Sequence, residues 1–571
     1  MVSQVVRRAS FWLLIATLVV LPFEHVLPDD HAIGGYTFTT VELSALLALG
    51  AWLSTLALDR RRPRLPRTVA VALGALLAVG FTSALLAPSL RDHALDAAAH
   101  LLAGALVLAA VADTGAVERR ATWLATALVA GATASALVGL LAFIIPAVGG
   151  ALGLTDFATT GARRLAGTLD YPNTAAMYYE AGALLAVGLA LAAPRRVLAV
   201  TFAAAAIVLL AAIALTLSRG ALIGLSAGLA VLALALVRMA ATSRPRAWLA
   251  AAIGALVVVG LASPFALTRP DGLVANPPRD LYNAAYEAPP AGNLSDGQMS
   301  VPVTITNTGS QPWNTDGQDR FRLGFHWLTP DARRLLGDGT EHALIGALLP
   351  GETKVVDATV RALPPALGHV VAWDVFVPGQ VWLSQYGVPV ATTQVVSVGV
   401  KDKEPLPSSA APRQLSLYDD LERPPDREQL WAAAVAMTAE RPLLGHGPGT
   451  FQLRYGPYLG LAEWDRDIHA NNTYLELAST IGLVGLAIFL VVVALVLLPL
   501  LDRVIRPRAT TARAERLFAA ALAAAIVAFL AHGAVDYFVG FNPTGGLFWA
   551  VLGLAVVAAG PGRATLKAET A

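Results

Sequence analysis

Apolar stretches of membrane-spanning length, separated by short arginine-bearing turns, occupy both ends of the chain, and a long polar island (267–466) lies between them. About 20 apolar residues are needed for a helix to cross ~30 Å of hydrocarbon. Twelve segments fit a span on this pattern: 9–23, 39–58, 69–87, 94–111, 121–148, 175–193, 198–217, 221–237, 247–266, 472–501, 517–534 and 545–559. The first is short, but no small-residue cleavage site follows it, so it is read as a span and not as a signal peptide.

Within the island the period changes. From about 292 to 400, short β-rich runs at 300–306, 321–328, 354–360 and 370–377 alternate with Gly and Pro, and Asn307 to Gly309 reads as a turn. A small β-sandwich of immunoglobulin-like or fibronectin type III-like architecture is expected there, as a spacer or docking module. Trp313, Trp327, Trp373 and Trp382 serve either as its core or as a sugar-stacking face. A linker at 401–412 precedes a helical stretch, 427–440, whose apolar stripe is expected to lie on the membrane surface and which Pro442 ends.

The expected fold class is therefore mainly α: a polytopic membrane protein of about 12 transmembrane helices with an inserted extracytoplasmic β-sandwich. Its domains run 1–266 (spans one to nine), 267–400 (external, β-sandwich), 401–471 (linker and external helical loop region) and 472–571 (spans ten to twelve).

Composition agrees: 56% of residues are hydrophobic and 14% charged, where soluble domains carry about a quarter charged residues. A net charge of +1 gives no reason to expect nucleic acid as a partner. The absence of cysteine excludes disulfides and thiolate chemistry, so the side of the island must come from arginine placement. Connections after even-numbered spans hold seventeen arginines, while the short connections after odd-numbered spans, the island aside, hold only Arg91, Arg163, Arg164 and Arg219. By the positive-inside rule the even side is cytoplasmic and the island faces outward.

The outward arginines then become informative. Arg219 sits in a turn too short to leave the bilayer surface, and Arg163 and Arg164 precede another span. Charges at that depth either snorkel to headgroups or bind something. A guanidinium fork matches phosphate oxygens, which makes a diphosphate the natural ligand. Gly445, Gly447 and Gly449 form a glycine-rich segment lacking the Gly-Lys-Ser/Thr ending of a nucleotide-binding loop, so a tight turn is expected.

Four segments, Arg164 to Asn173, Leu217 to Gly220, Gly445 to Phe451, and His469 to Leu475 followed by Gly482 and Gly485, resemble in order and membrane position the O-antigen ligase and polymerase superfamily. The resemblance implies an outward-facing glycosyltransferase that moves a glycan from a polyprenyl diphosphate carrier to an acceptor hydroxyl. It implies that Arg164 and Arg219 hold the diphosphate and that a loop histidine activates the acceptor. The family pattern is His-x-His-Asn; here Asn471 stands at the second histidine, and His469 is the remaining imidazole. His469 acts as the base from a shifted position or caps the helix entry, and Asn472 caps span ten or orients a substrate. Arg163, Asn173, Asn471, Asn472, Glu476 and Asp536 are possible supporting residues.

Inverting transfer without metal or cofactor is the expected chemistry, because the lipid diphosphate already supplies activation outside the cytoplasm. Expected partners are the donor, a glycan, lipid or protein acceptor, and membrane lipids of the bacterial cytoplasmic membrane. The alternatives are an O-antigen or exopolysaccharide polymerase, a protein O-oligosaccharyltransferase and, outside enzymes, a lipid-linked glycan transporter. The last needs a polar path across the bilayer, whereas the spans show few charges near their centres.

Overall fold

The computed structural model describes residues 2–26, 38–117, 120–145, 148–149, 152, 154, 157–159, 162–169, 171–239, 283–294, 298–313, 321–333, 335–339, 343–361, 368–376, 382–397, 414–417, 425–461, 464–506 and 512–560. They form two compact units, one helical (1–155, 165–268, 427–571) and one mainly β (156–164, 269–426).

The helical unit contains α1 (Val2–Val20), α2 (Thr40–Asp59), α3 (Arg67–Leu85), α4 (Arg91–Gly115), α5 (Arg120–Ile144), α6 (Pro172–Ala192), α7 (Arg196–Thr216), α8 (Arg219–Met239), α9 (Arg427–Glu440), α10 (Tyr455–Tyr458), α11 (Thr473–Ile505), α12 (Arg513–His532) and α13 (Asn542–Ala559). Ten of these described helices are long and apolar enough to cross a membrane: α2 to α8 and α11 to α13. About twelve spans were expected. Of the other two, α1 is a helix carrying Arg7 and Arg8 near its start, and 247–266 lies outside the described residues.

Burial orders the bundle. In α6 and α13, 78% and 72% of the apolar window is enclosed by protein, against 22% in α7, so α6 and α13 belong to the bundle core while α7 leaves most of its surface for lipid. Alanine and glycine dominate the buried faces, letting backbones approach closely where no water drives association. A capping box starts α2, with Thr39 Oγ1 accepting from Glu42 N and Glu42 Oε2 accepting from Thr39 N. On the arginine-rich side, Asp113 at the end of α4 accepts from both terminal nitrogens of Arg61 (2.6 and 2.8 Å), from Trp52 Nε1 and from the Arg64 amide.

One expectation changes shape. The tenth span is not a continuous helix: Gly482 (φ 74°, ψ 173°) divides α11 into a short half, 473–481, and a longer one, 483–505. The peptide 442–447 lies in the break. Leu483 N donates to Pro442 O (2.8 Å), His446 N to Ser479 O (3.1 Å) and Gly447 N to Thr480 O (2.9 Å). Ser83 Oγ from α3 donates to both Leu444 O and Thr480 O, so the backbone groups freed by the break regain partners. Gly445, Gly447 and Gly449 all take positive φ, in keeping with the expected tight turn, and a Cβ on Gly482 would collide with the Leu443 carbonyl.

A second correction concerns α9. Its apolar stripe, Leu430, Ala433, Ala434 and Met437, packs on Phe451, Tyr455 and Ala470 instead of facing lipid, because the turns following it fold back over that face.

The β unit holds a hairpin, β1 (Phe157–Thr159) with β2 (Ala162–Arg164), and two larger sheets. One sheet orders β3 (Ala284–Glu287), β5 (Gln298–Asn307) and β9 (Thr353–Arg361). The other runs β12 (Gln414–Leu415), β11 (Val390–Ser397), β10 (Val370–Phe376), β6 (Arg322–Leu328) and β7 (Leu335–Asp338), with β4 (Ala291–Leu294) on β11 and β8 (Ala343–Leu344) on β6. Alternate residues of β5 (Met299, Val301, Val303, Ile305) meet Leu323, Phe325, Val371, Trp373 and Val375 in one core shared by both sheets. Trp313 and Trp373 are core residues, Trp313 stacking on Phe321 and Trp373 donating to Thr393; Trp327 and Trp382 are only partly buried. At the centre, the buried Asp374 carboxylate accepts from Tyr286 OH and from the amides of Val375 and Ser384, and faces His326 Nε2 at 3.3 Å.

Candidate functional site

The short half of α11 builds the site. Asn472 is its N-cap: Oδ1 accepts from the amides of Tyr474 (3.0 Å) and Leu475 (3.1 Å), and Nδ2 donates to Ala534 O. Asn471, in the left-handed region at φ 48°, turns the chain into the helix. That turn folds His469 back over the first helical turn, where Glu476 is 1% exposed. Glu476 Oε1 lies 3.0 Å from His469 Nδ1, while Oε2 accepts from the Ala470 amide at 2.8 Å.

The carboxylate thus selects a tautomer. With Nδ1–H donated to Glu476, Nε2 carries the lone pair and acts as an acceptor. Tyr537 and Phe541 wall the ring, at 4.8 and 5.2 Å between centroids, and the imidazole remains partly exposed. The turn that supplies those rings is docked on the half-helix through Thr473, whose amide donates to Gly533 O and Asp536 O, and through Tyr474 OH, which donates to Leu530 O.

Asp536 is the second carboxylate here. Its Oδ2 accepts from Asn173 Nδ2 (2.7 Å) at the start of α6, and Arg427 Nη2 stands 3.6 Å away. Burial pushes its carboxyl above the ordinary range, opposed by the Arg427 charge and by bonds from the Tyr537 amide and Asn173. Burial also raises the Tyr537 hydroxyl, with the Glu476 charge adding to it.

Asn173, His469, Asn472, Glu476 and Asp536 therefore converge. Arg219 opens α8 as an exposed side chain, after a turn in which Leu217 adopts φ 52° and Ser218 Oγ accepts from the Ala221 amide. Arg163 and Arg164 lie in β2, paired with Ala158 and Phe157, in the β unit. The next residue, Leu165, belongs to the helical unit and donates its amide to Leu215 O, four residues before Arg219.

Three features were not anticipated. Arg427 is one, its side chain 46% exposed beside Asp536. Tyr537 and Phe541 as walls of the imidazole are another. The third is a buried pair, Glu180 and His532; a lone carboxylate inside the apolar run of α6 was the available signal.

Ten described helices long and apolar enough to cross a membrane, with a histidine–carboxylate pair beside a broken helix, define a multi-pass membrane protein. Residues 416–490 match the O-antigen ligase family model, so this segment of the chain is similar to that family. The match spans Arg427, the glycine-rich turn, His469, Glu476 and Gly482. No curated protein matches the chain.

Proposed function

We propose that the protein transfers a glycan from a polyprenyl diphosphate to an acceptor hydroxyl at the external face of the bacterial cytoplasmic membrane. The observation that carries this reading is the His469–Glu476 pair, 3.0 Å apart, which leaves Nε2 to take a proton from an incoming hydroxyl. The acceptor oxygen bonds to the anomeric carbon as the bond from that carbon to the phosphate oxygen breaks. The proton passes to Nε2, and the bonding electron pair leaves on the diphosphate. One displacement inverts the anomeric centre, and no metal is invoked.

Arg219 and Arg164 take the departing charge, with Arg163 as a supporting residue. Asn173 and Asp536 border the acceptor side, with Asn471 and Asn472 shaping the loop. The β unit, with two sheets around one core, suits an immunoglobulin-like spacer or docking module.

Purified protein given a radiolabelled polyprenyl diphosphate glycan, with separate glycan, lipid and protein acceptors, tests the reading and separates ligase, polymerase and protein-glycosylating activity. Arg219→Ala and His469→Ala are expected to abolish or strongly reduce transfer while inserting normally. Undiminished product from both variants refutes it.

A further inference from the structure

Gly220, Gly224 and Gly228 lie one turn apart on α8, and α6 and α12 pack into the stripe they leave. A side chain at Gly228 would collide with Leu184, one at Gly224 with the Glu180 carboxylate, and one at Gly220 with the His532 ring. The notch farthest from Arg219 thus holds an aliphatic group, while the two nearest hold ionisable ones. Close packing alone would be served by aliphatic side chains in all three.

His532 and Glu180 are 0% and 1% exposed, and Nδ1 of one lies 3.1 Å from Oε2 of the other. His532 Nε2 and Glu180 Oε1 have no hydrogen-bond partner among the described residues, and the ring edge carrying Nε2 abuts Gly220, in the first turn of α8. Neither residue has a part in the transfer step above. Ionisable groups kept at such depth mark function by default, and a hydrogen-bonded pair selects one geometry where aliphatic side chains would accept several.

The pair sits where three elements of the site meet. His532 ends α12, and the carbonyls of Gly533 and Asp536 just beyond it receive the Thr473 amide at the start of the half-helix that follows His469. Glu180 lies two turns along α6 from Asn173, which donates to Asp536. Gly220 is adjacent to Arg219. We propose that Glu180 and His532 are a positioning couple that holds the Arg219 end of α8 in register with the His469 loop, without touching substrate. This rests on reading Arg219 as a ligand of the donor diphosphate.

The test is the double replacement Glu180→Met with His532→Phe, which fills both notches with apolar groups; such swaps of buried ionisable pairs commonly preserve the fold. Donor KM is expected to rise about tenfold or more with kcat changed by less than about threefold. His532→Gln, which can still bond Glu180, is expected to stay within about threefold of the parent in both. A double variant with parental donor KM, where Arg219→Ala raises that KM, overturns the proposal, and Glu180→Leu with His532→Leu supplies the same reading should the first pair of replacements fail to insert. Because the chain has no cysteine, spin labels at Leu217→Cys and Asp467→Cys report the joint independently of activity. Their distance distribution is expected to broaden in the double variant, and an unchanged distribution overturns the proposal. If it broadens while Arg219→Ala leaves donor KM unaltered, the coupling stands and the diphosphate assignment falls.

Discussion

Replacing Glu476 with Gln isolates the carboxylate's effect on the imidazole with little change in shape. The native group fixes His469 Nδ1 at 3.0 Å and the Ala470 amide at 2.8 Å, from a position 1% exposed. A buried hydrogen bond to a carboxylate contributes about 1.5–3 kcal/mol. If that bond orients the base and steadies the imidazolium formed as the acceptor loses its proton, kcat should fall by roughly tenfold to 150-fold, at about 1.4 kcal/mol per decade. Donor KM should change by less than about threefold, since the bond faces the acceptor's base and not the leaving group. Steady-state transfer of a labelled polyprenyl diphosphate glycan, with insertion followed by size-exclusion of the detergent-solubilised protein, measures both. The double variant His469→Ala/Glu476→Gln is the sharper control: if Glu476 acts through His469, adding its replacement should slow His469→Ala no further. Fully multiplicative losses, or a Glu476→Gln enzyme within twofold of the parent, would refute the reasoning.

Gly482→Ala should prevent stable folding: its φ and ψ lie in a region used almost solely by glycine, about 1–3 kcal/mol of strain for any other residue, and the added carbon meets the Leu443 carbonyl. Loss of the monodisperse peak on size-exclusion is the expected result, and a well-folded variant would show that the break is not needed. Asp536→Asn tests the raised carboxyl. A folded pKa above the unfolded value stabilises below the ordinary carboxylate range and loses that contribution as pH rises through the folded pKa. The parent should therefore gain thermal stability on acidification from neutral pH toward pH ~4 relative to Asp536→Asn, read by thermal unfolding across a pH series. Asp374→Ala leaves the Tyr286 hydroxyl and the Ser384 amide without their acceptor, at about 1–3 kcal/mol for each group. Limited proteolysis of the whole protein should then cut within the β unit much faster than in the parent.

Local pattern fixed much of this architecture. The helix expected at 427–440 is α9, Arg427–Glu440, and the run at 39–58 is α2, Thr40–Asp59, because hydropathy and turn residues act over a single element. The strands expected at 300–306 and 354–360 lie within β5 and β9 for the same reason. The break at Gly482 was hidden because a lone glycine within a largely apolar helical run is tolerated; the peptide 442–447, distant in sequence, fills the break. His469 was visible as an imidazole at a span entrance, but its pairing with Glu476 depends on the reversal at Asn471, which no helical period describes. Arg427 was invisible for the same reason: its meeting with Asp536 joins positions more than a hundred residues apart.

The broken helix also explains how the His469 imidazole can be held firmly beside the start of α11. A continuous helix from Thr473 would leave its first turns anchored only by their own ladder, and helix ends fray. Here the half-helix is secured at both ends. Below, the His446 and Gly447 amides and Ser83 Oγ bind its last carbonyls. Above, Asn472 caps it, and Thr473 and Tyr474 tie it to the turn between α12 and α13. Glu476 lies between these anchors, so the imidazole inherits a rigid support. Arg219, by contrast, projects exposed from a turn whose left-handed residue is a leucine, and the helix it opens is held by close packing of α6 and α12 on its glycines. Variants at the half-helix should therefore act on kcat, and variants at the α8 stripe on donor KM.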